Sequence, residues 1–229
     1  MLAGLVMLAG AALLSGGPAA AQSIVINEIH YHPASHDPRE EFVELFNRGA
    51  TNVSLSGWAL GGGIDFPFPS NTVLGAGRYL VVAADRARFA ALKPAVTNVV
   101  GSWLGWTVTN VNGRLFTNFS PVLSNTRNTI WLRDAAGTRV DEVTYADEGD
   151  WAVRRRGLND GGYRGWTWYA EHDGLGKSLE LRNPALPNEH GQNWGSSAVV
   201  GGTLYTIAVW CEDQHGLKLV DGDAKVEVA

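Results

Sequence analysis

Cysteine is almost missing from this chain. Cys211 is the single one, so no intramolecular disulfide forms and a four-cysteine zinc site is excluded. Basic charge is scarce too: 18 Lys and Arg stand against 23 Asp and Glu, a formal −5 that argues against non-specific nucleic-acid binding. Gly61-Gly62-Gly63 lacks the Lys-Ser/Thr that would make it a phosphate-cradling loop. No Gly-x-Ser-x-Gly elbow occurs, and the serines and histidines show no triad signature. Helical periodicity is nearly missing as well. What is present is apolar residues, 45% of 229, with 9 Trp and 28 Gly. That is ample material for a core that needs no covalent staples.

Met1 to Leu14 is almost purely apolar, followed by Ser15-Gly16-Gly17-Pro18 and then Ala19-Ala20-Ala21-Gln22. An apolar run, a helix-breaking patch and small residues predict an export signal over residues 1–21, cleaved after Ala21. The run falls short of the roughly 20 apolar residues a membrane span needs. No Lys or Arg precedes it, so the α-amino group supplies the only positive charge there. The expected location is therefore secreted or cell-surface, with no stable membrane span once the signal is removed.

The body reads as short strands broken by Gly, Asn, Asp and Pro. Ser23 to Tyr31 carries alternating isoleucines whose phase slips at Asn27-Glu28, the mark of a β-bulge. Glu41 to Asn47 is a second strand and Asn52 to Leu60 a third. Pro67 confines Ile64 to Phe68 to an edge or a bulge. Arg78 to Ala83 has no polar alternation after its first residue, which predicts an interior strand. One short helix is expected after Asp85 as its cap, with Phe89 and Leu92 on one face and Pro94 beyond its end. Thr129 to Arg133, the turn Asp134 to Gly137, and Thr138 to Tyr145 make the clearest hairpin. Lys177 to Arg182 is a later strand. The sum is an all-β, immunoglobulin-like sandwich over residues 22–199 with one short helix. Thr203 to Trp210, Leu217 to Val220 and Lys225 to Val228 read as three strands of a β extension over 200–229, the start of a second unit in a longer protein.

Three stretches together resemble the bacterial lamin-tail domain family. They are Ile24 to Ile29 (IVINEI) leading to Tyr31-His32-Pro33; Glu41 to Asn47 (EFVELFN) with Leu55-Ser56-Gly57-Trp58-Ala59-Leu60; and Val140 to Tyr145 (VDEVTY) with Ser178-Leu179-Glu180-Leu181 and Asn193-Trp194. Their order and spacing cover about residues 23 to 197. The resemblance implies an immunoglobulin-like sandwich used as a non-catalytic module, of the kind attached in bacteria to large secreted proteins. The segment Trp151 to Asp173 is longer than in the simplest members, and the tail after Val199 lies outside the pattern. Trp58, after its Ser-Gly bend, is the tryptophan expected to fill the space between the sheets. Glu28 and Glu44 sit in apolar strands, so they should face outward or accept backbone N–H bonds at a bulge.

Three constellations could carry chemistry. His30, His32 and His36 lie close to Asp37, and on a strand His30 and His32 share a face as a metal-binding pair would. Against this stands a polar strand end entering a Pro-bounded loop. Asp37, Glu40, Glu41 and Glu44, and separately Asp141, Glu142, Asp147, Glu148 and Asp150, are acidic enough for calcium, though solvated acidic loops are the commoner explanation of such runs. Arg154-Arg155-Arg156 followed by Tyr163-Arg164-Gly165-Trp166-Thr167-Trp168-Tyr169 is the most unusual stretch. Its aromatics can stack on sugar rings and its arginines can pair with carboxylate or phosphate. Alternatively, Trp166 and Trp168 alternate with small residues as a half-buried strand would, packing back as a satellite core.

The reading is a non-catalytic exported binding module without a cofactor, calcium being the one ion its acids could suit. Arg155, Tyr163, Arg164, Trp166 and Trp168 are its candidate ligand-binding residues. The partner is a protein or a cell-surface polysaccharide, and no nucleic acid is expected. The rivals are a carbohydrate-binding module serving a separate enzyme and a metal-dependent hydrolase using His30, His32 and nearby acids.

Overall fold

The structure is a computed structural model of the whole chain, and it describes residues 23–111, 114–119 and 121–197. The predicted signal segment and the strands expected beyond residue 200 lie outside the described residues. The chain divides after Ser196 into two units, and all the named elements lie in the first.

In chain order the strands are β1 (Ile24–His30), β2 (Phe42–Asn47), β3 (Val53–Ser54), β4 (Ala59–Gly61), β5 (Phe66–Pro67), β6 (Val73–Leu74) and β7 (Tyr79–Ala83). The helix α1 (Arg86–Leu92) comes next. Then follow β8 (Val99–Gly101), β9 (Trp106–Val111), β10 (Arg114–Phe119), β11 (Arg127–Arg133) and β12 (Arg139–Ala146). The last are β13 (Val153–Asp160), β14 (Tyr163–Tyr169), β15 (Leu179–Leu181) and β16 (Trp194–Ser196). One sheet has the order β16-β15-β1-β2-β7-β8, a second β12-β11-β4-β5, and β3 pairs with β6. Two hairpins, β9–β10 and β13–β14, form two-stranded sheets of their own.

The main core lies between the two large sheets. Ile24, Ile26, Ile29, Val43, Leu45, Leu80 and Val82 from the first meet Leu60, Ile130, Leu132 and Val143 from the second. The two-residue period of a strand puts this face inward and leaves the alternate residues for the other side. On that other side of the larger sheet, Phe42, Val81, Ala83 and Phe89 make a small second cluster. The Phe89 ring meets Phe42 edge-on at 5.4 Å, which docks α1. Asp85 caps the helix by accepting from Arg88 N, as its position predicts. Only Phe89 of the expected pair is buried, because seven residues make too short a helix to press Leu92 onto the sheet as well.

Tryptophan use differs from expectation. Trp58 is only partly buried against the core. The bend at Ser56-Gly57, with Gly57 at φ 77°, splits the predicted third strand into β3 and β4 and gives the inward position to Leu55. Among the residues whose burial is described, the buried tryptophans are Trp103 and Trp194. Trp194 sends its indole N–H to the Asn188 carbonyl at 2.8 Å, so its polar atom is satisfied inside the core.

The predicted bulge is present: the β1–β2 register shifts between Ile26 and Glu28. A bulge leaves a backbone group without its ladder partner. Here a carboxylate from the opposite sheet meets one, Ile26 N donating to Asp141 Oδ2 at 2.6 Å. The Asn188 amide bonds both to that same carboxylate oxygen, at 2.7 Å, and to Ile26 O. Three segments distant in sequence are thus clasped at one buried point. Burial pushes the Asp141 carboxyl up to about 6 despite these donors.

Candidate functional site

The hairpin β13–β14 occupies most of the insertion between Trp151 and Asp173. Gly161 and Gly162 turn it, both at positive φ, and Asn159 Oδ1 accepts from Gly162 N at 2.9 Å. Its register pairs Arg154 with Trp168, Arg155 with Thr167 and Arg156 with Trp166, before a shift places Asn159 opposite Arg164. Alternation then sorts the side chains. Arg154, Arg156, Arg164, Trp166 and Trp168 lie on one face, and Arg155, Tyr163, Thr167 and Tyr169 on the other.

Cross-strand stacking follows the same division. The Arg154 and Arg156 guanidiniums sit 4.7 and 4.2 Å from the centroid of the Trp166 ring. On the opposite face Arg155 lies 3.3 Å from the Tyr169 ring. Such contacts are each worth about 0.5–1 kcal/mol at exposed sites. They matter here because an isolated two-stranded hairpin is marginal in water.

The structure therefore brings together Arg164, Trp166 and Trp168 from the sequence-based selection, and sets Arg155 and Tyr163 on the reverse side. Arg154 and Arg156 were the residues to choose beside Trp166. Strand parity could have found them, had the register of the hairpin been known. The satellite-core alternative is corrected outright. Trp166 is 47% exposed, Trp168 46% and Tyr163 83%, because β13 and β14 pair with no third strand. The alternation that suggested a packed strand instead accompanies two arginines lying across Trp166.

The histidine constellation is dispersed. His30 stacks obliquely on Phe42 at 5.2 Å, and burial pushes its imidazole down to about 4, so the ring is neutral. His32 points elsewhere: Nδ1 lies 2.6 Å from Asp173 Oδ1, and Nε2 lies 3.0 Å from His36 Nδ1. Since a carboxylate only accepts, His32 Nδ1 carries the proton. Nearby, His172 Nε2 bonds the Trp151 carbonyl at 2.9 Å, so its Nδ1 accepts from the Tyr31 hydroxyl at 2.8 Å. A cavity of about 330 Å³ opens beside His32 and His36, with Glu41 and Ser124 in its wall. Ser124 Oγ bonds Thr126 and Arg127, not an imidazole. The Asp173–His32 pair thus leads to a second histidine where a nucleophilic mechanism needs a hydroxyl or thiol. Among the described residues no three His, Cys, Asp or Glu side chains converge as metal ligands would.

The acids also go separate ways. Asp37 bonds Arg39, and Glu40 bonds Arg88 at 2.5 Å. Glu41 is buried, accepts from Leu123 N at 3.0 Å, and is pushed up to about 8 by desolvation. Glu44 lies opposite Glu28 across the strand, which in turn lies opposite Glu180. Desolvation first, and the Glu28 charge second, push Glu44 up to about 7. As expected, Glu28 and Glu44 turn away from the main core; Glu28 meets Ser178 and Glu44 meets Asn27. Glu142 pairs with Arg139, while Asp141 is spent on the clasp described above. Neither acidic run gathers into an oxygen-rich cradle, because alternate strand residues face opposite ways.

A family model described as Lamin Tail Domain matches residues 17–147, more than half of the 229. No curated protein matches the chain.

Proposed function

The chain belongs to the lamin tail domain family, and we propose that it is an exported, non-catalytic binding module whose holding surface is the Arg154/Arg156/Arg164/Trp166/Trp168 face of the hairpin. Its immunoglobulin-like build is that of an interaction module, a scaffold that presents loops and hairpins from a rigid core. The carrying observation is the exposure of two tryptophans on a ribbon stacked with arginines. Trp and Arg are the residues most enriched where binding energy concentrates. Exposed large aromatics in one patch mark an interaction site. A partner that covers this face would also relieve the hairpin of its lack of a third strand.

Support for a non-catalytic role comes from the dispersal of the histidines and acids. A hydrolase needs its nucleophile, base and orienting group in mutual reach. The expectation of export rests on the leader-like residues 1–21. The protein is proposed to work without a cofactor.

The test is direct. The protein recovered from its own secretion route should begin at Gln22 by mass, and W166A/W168A should abolish partner capture while leaving the melting temperature within a few degrees. Capture that survives the double substitution removes the hairpin from the reading. A second reading, a carbohydrate-binding module serving a separate enzyme, is favoured by the same ring pair. Retention on insoluble polysaccharide, competed by free oligosaccharide, would establish it.

A further inference from the structure

We propose that the tryptophan face of the hairpin takes an anionic polysaccharide, one whose sugars carry carboxylate or sulfate groups at intervals. This inference rests on the reading of the hairpin as the holding surface and adds the chemistry of what is held.

The first argument is charge. Residues 153–169 contain four arginines and one acid, Asp160, a net of +3. Outside the hairpin, the described residues 23–152 and 170–197 carry 17 acids and 12 bases, a net of −5. A basic ribbon on an acidic body selects for an anion that contacts the ribbon and little else. Double-stranded nucleic acid carries a charge about every 1.7 Å, and would bring dense negative potential within a Debye length of about 8 Å of that body. A chain with sparse charges meets the arginines without that cost.

The second argument is orientation. A cation–π stack engages the flat face of a guanidinium and fixes the direction of the side chain. Arg154 and Arg156 are two residues apart on one strand, which spaces them by roughly 6.7 Å along the ribbon. Guanidiniums held in this way lose less freedom when they meet a carboxylate or sulfate. Trp168, opposite Arg154 and 46% exposed, supplies an apolar ring beside them for the C–H face of a sugar.

The third argument is shape. The ribbon is two strands wide and has solvent on both sides, the side chains of β13 and β14 being exposed almost throughout. It offers no pocket for the buried anchor of a protein interface. A long narrow face of alternating charge and ring instead suits an extended polymer laid along it.

The experiment uses the full mature chain and follows tryptophan fluorescence during titration with polygalacturonate, its fully methyl-esterified form, dextran sulfate, dextran, poly-L-glutamate and duplex DNA. The expected result is saturable binding to polygalacturonate or dextran sulfate, at least tenfold tighter than to the neutral counterpart, and weakening as salt rises. Which of the two binds more tightly tells carboxylate from sulfate. R154Q/R156Q should lose binding at least tenfold. R154K/R156K should recover part of it, since charge returns without the planar fork. R155Q, on the reverse face, should change it less than twofold. Equal binding to the esterified polymer, or tighter binding to poly-L-glutamate or DNA, overturns the anionic-polysaccharide inference while the hairpin remains the surface, provided that R154Q/R156Q abolishes it. Binding unaffected by R154Q/R156Q and by W166A/W168A overturns the reading of the hairpin itself. No binding to any of these polymers overturns the inference alone, because a protein partner would still be open to the hairpin.

Discussion

Trp194 and Trp166 are the same residue in two opposite settings. Trp194 is 1% exposed, closes the core between the sheets, and spends its N–H on a backbone carbonyl. Trp166 is 47% exposed, on a ribbon that packs against no third strand, and carries a guanidinium 4.2 Å from its ring centroid. The sandwich uses its large side chains to remove water from itself. The ribbon keeps its own half exposed at the surface. Burial, not residue type, separates the stabilising part of this molecule from the part available for recognition.

Trp194→Ala should break that comparison most strongly. It leaves a large cavity and the Asn188 carbonyl without its donor, and should cost about 3–5 kcal/mol in denaturant unfolding. Asp141→Ala comes next. It strands the Ile26 N–H and one N–H of the Asn188 amide, whose other bond to Ile26 O remains, and should cost about 2–4 kcal/mol. A substitution outside the sandwich that matched either loss would contradict the division.

Glu41 gives a subtler effect through pH. Its carboxyl is raised from 4.5 to about 8, by desolvation before all else, so the folded state holds a proton that the unfolded chain releases over that window. Its contribution is therefore fully present below pH 4.5 and lost as pH rises toward 8. Buried His30, lowered to about 4, and His172, also lowered, act in the other direction as pH falls below about 6.5. Between pH 7 and 8 the acid dominates. Unfolding free energy should fall there by about 1 kcal/mol per pH unit, and Glu41→Gln should reduce that slope. A slope unchanged by the substitution would show that Glu41 is ionised in the fold.

The smallest expected stability effect is W166A/W168A. Trp166 carries two exposed cation–π contacts of about 0.5–1 kcal/mol each, so the change should stay within about 2 kcal/mol. A larger loss would make the ribbon part of the core after all.

Much of the sandwich was legible because strand chemistry is local. The slip at Asn27-Glu28 marked the bulge, Pro67 marked an edge strand, and the unbroken apolar run before Ala83 marked the interior position of β7. Asp85 capped its helix where the pattern required. What failed depended on distant partners. No local pattern says that Asp141 reaches across to Ile26. Likewise, Leu55 is fully buried while the larger Trp58 packs against the core only in part. At the ribbon the residue types were readable but their facing was not. Arg155 and Trp166 lie on opposite faces, because a one-residue step along a strand flips the face.

The clasp at Ile26 has a consequence for where this domain ends. Its carboxylate comes from Asp141, inside the stretch that the family pattern matches, but the amide completing it comes from Asn188, and Trp194 then sits on that residue's carbonyl. A piece cut at residue 147 would keep the whole stretch that the family model matches and still lack the plug and the lock of its own interior. Such a fragment should collapse without a sharp melting transition, whereas residues 23–197 should melt cooperatively. A cooperative unit longer than that match is the expected outcome, and a protein ending at residue 147 would stop about fifty residues too soon.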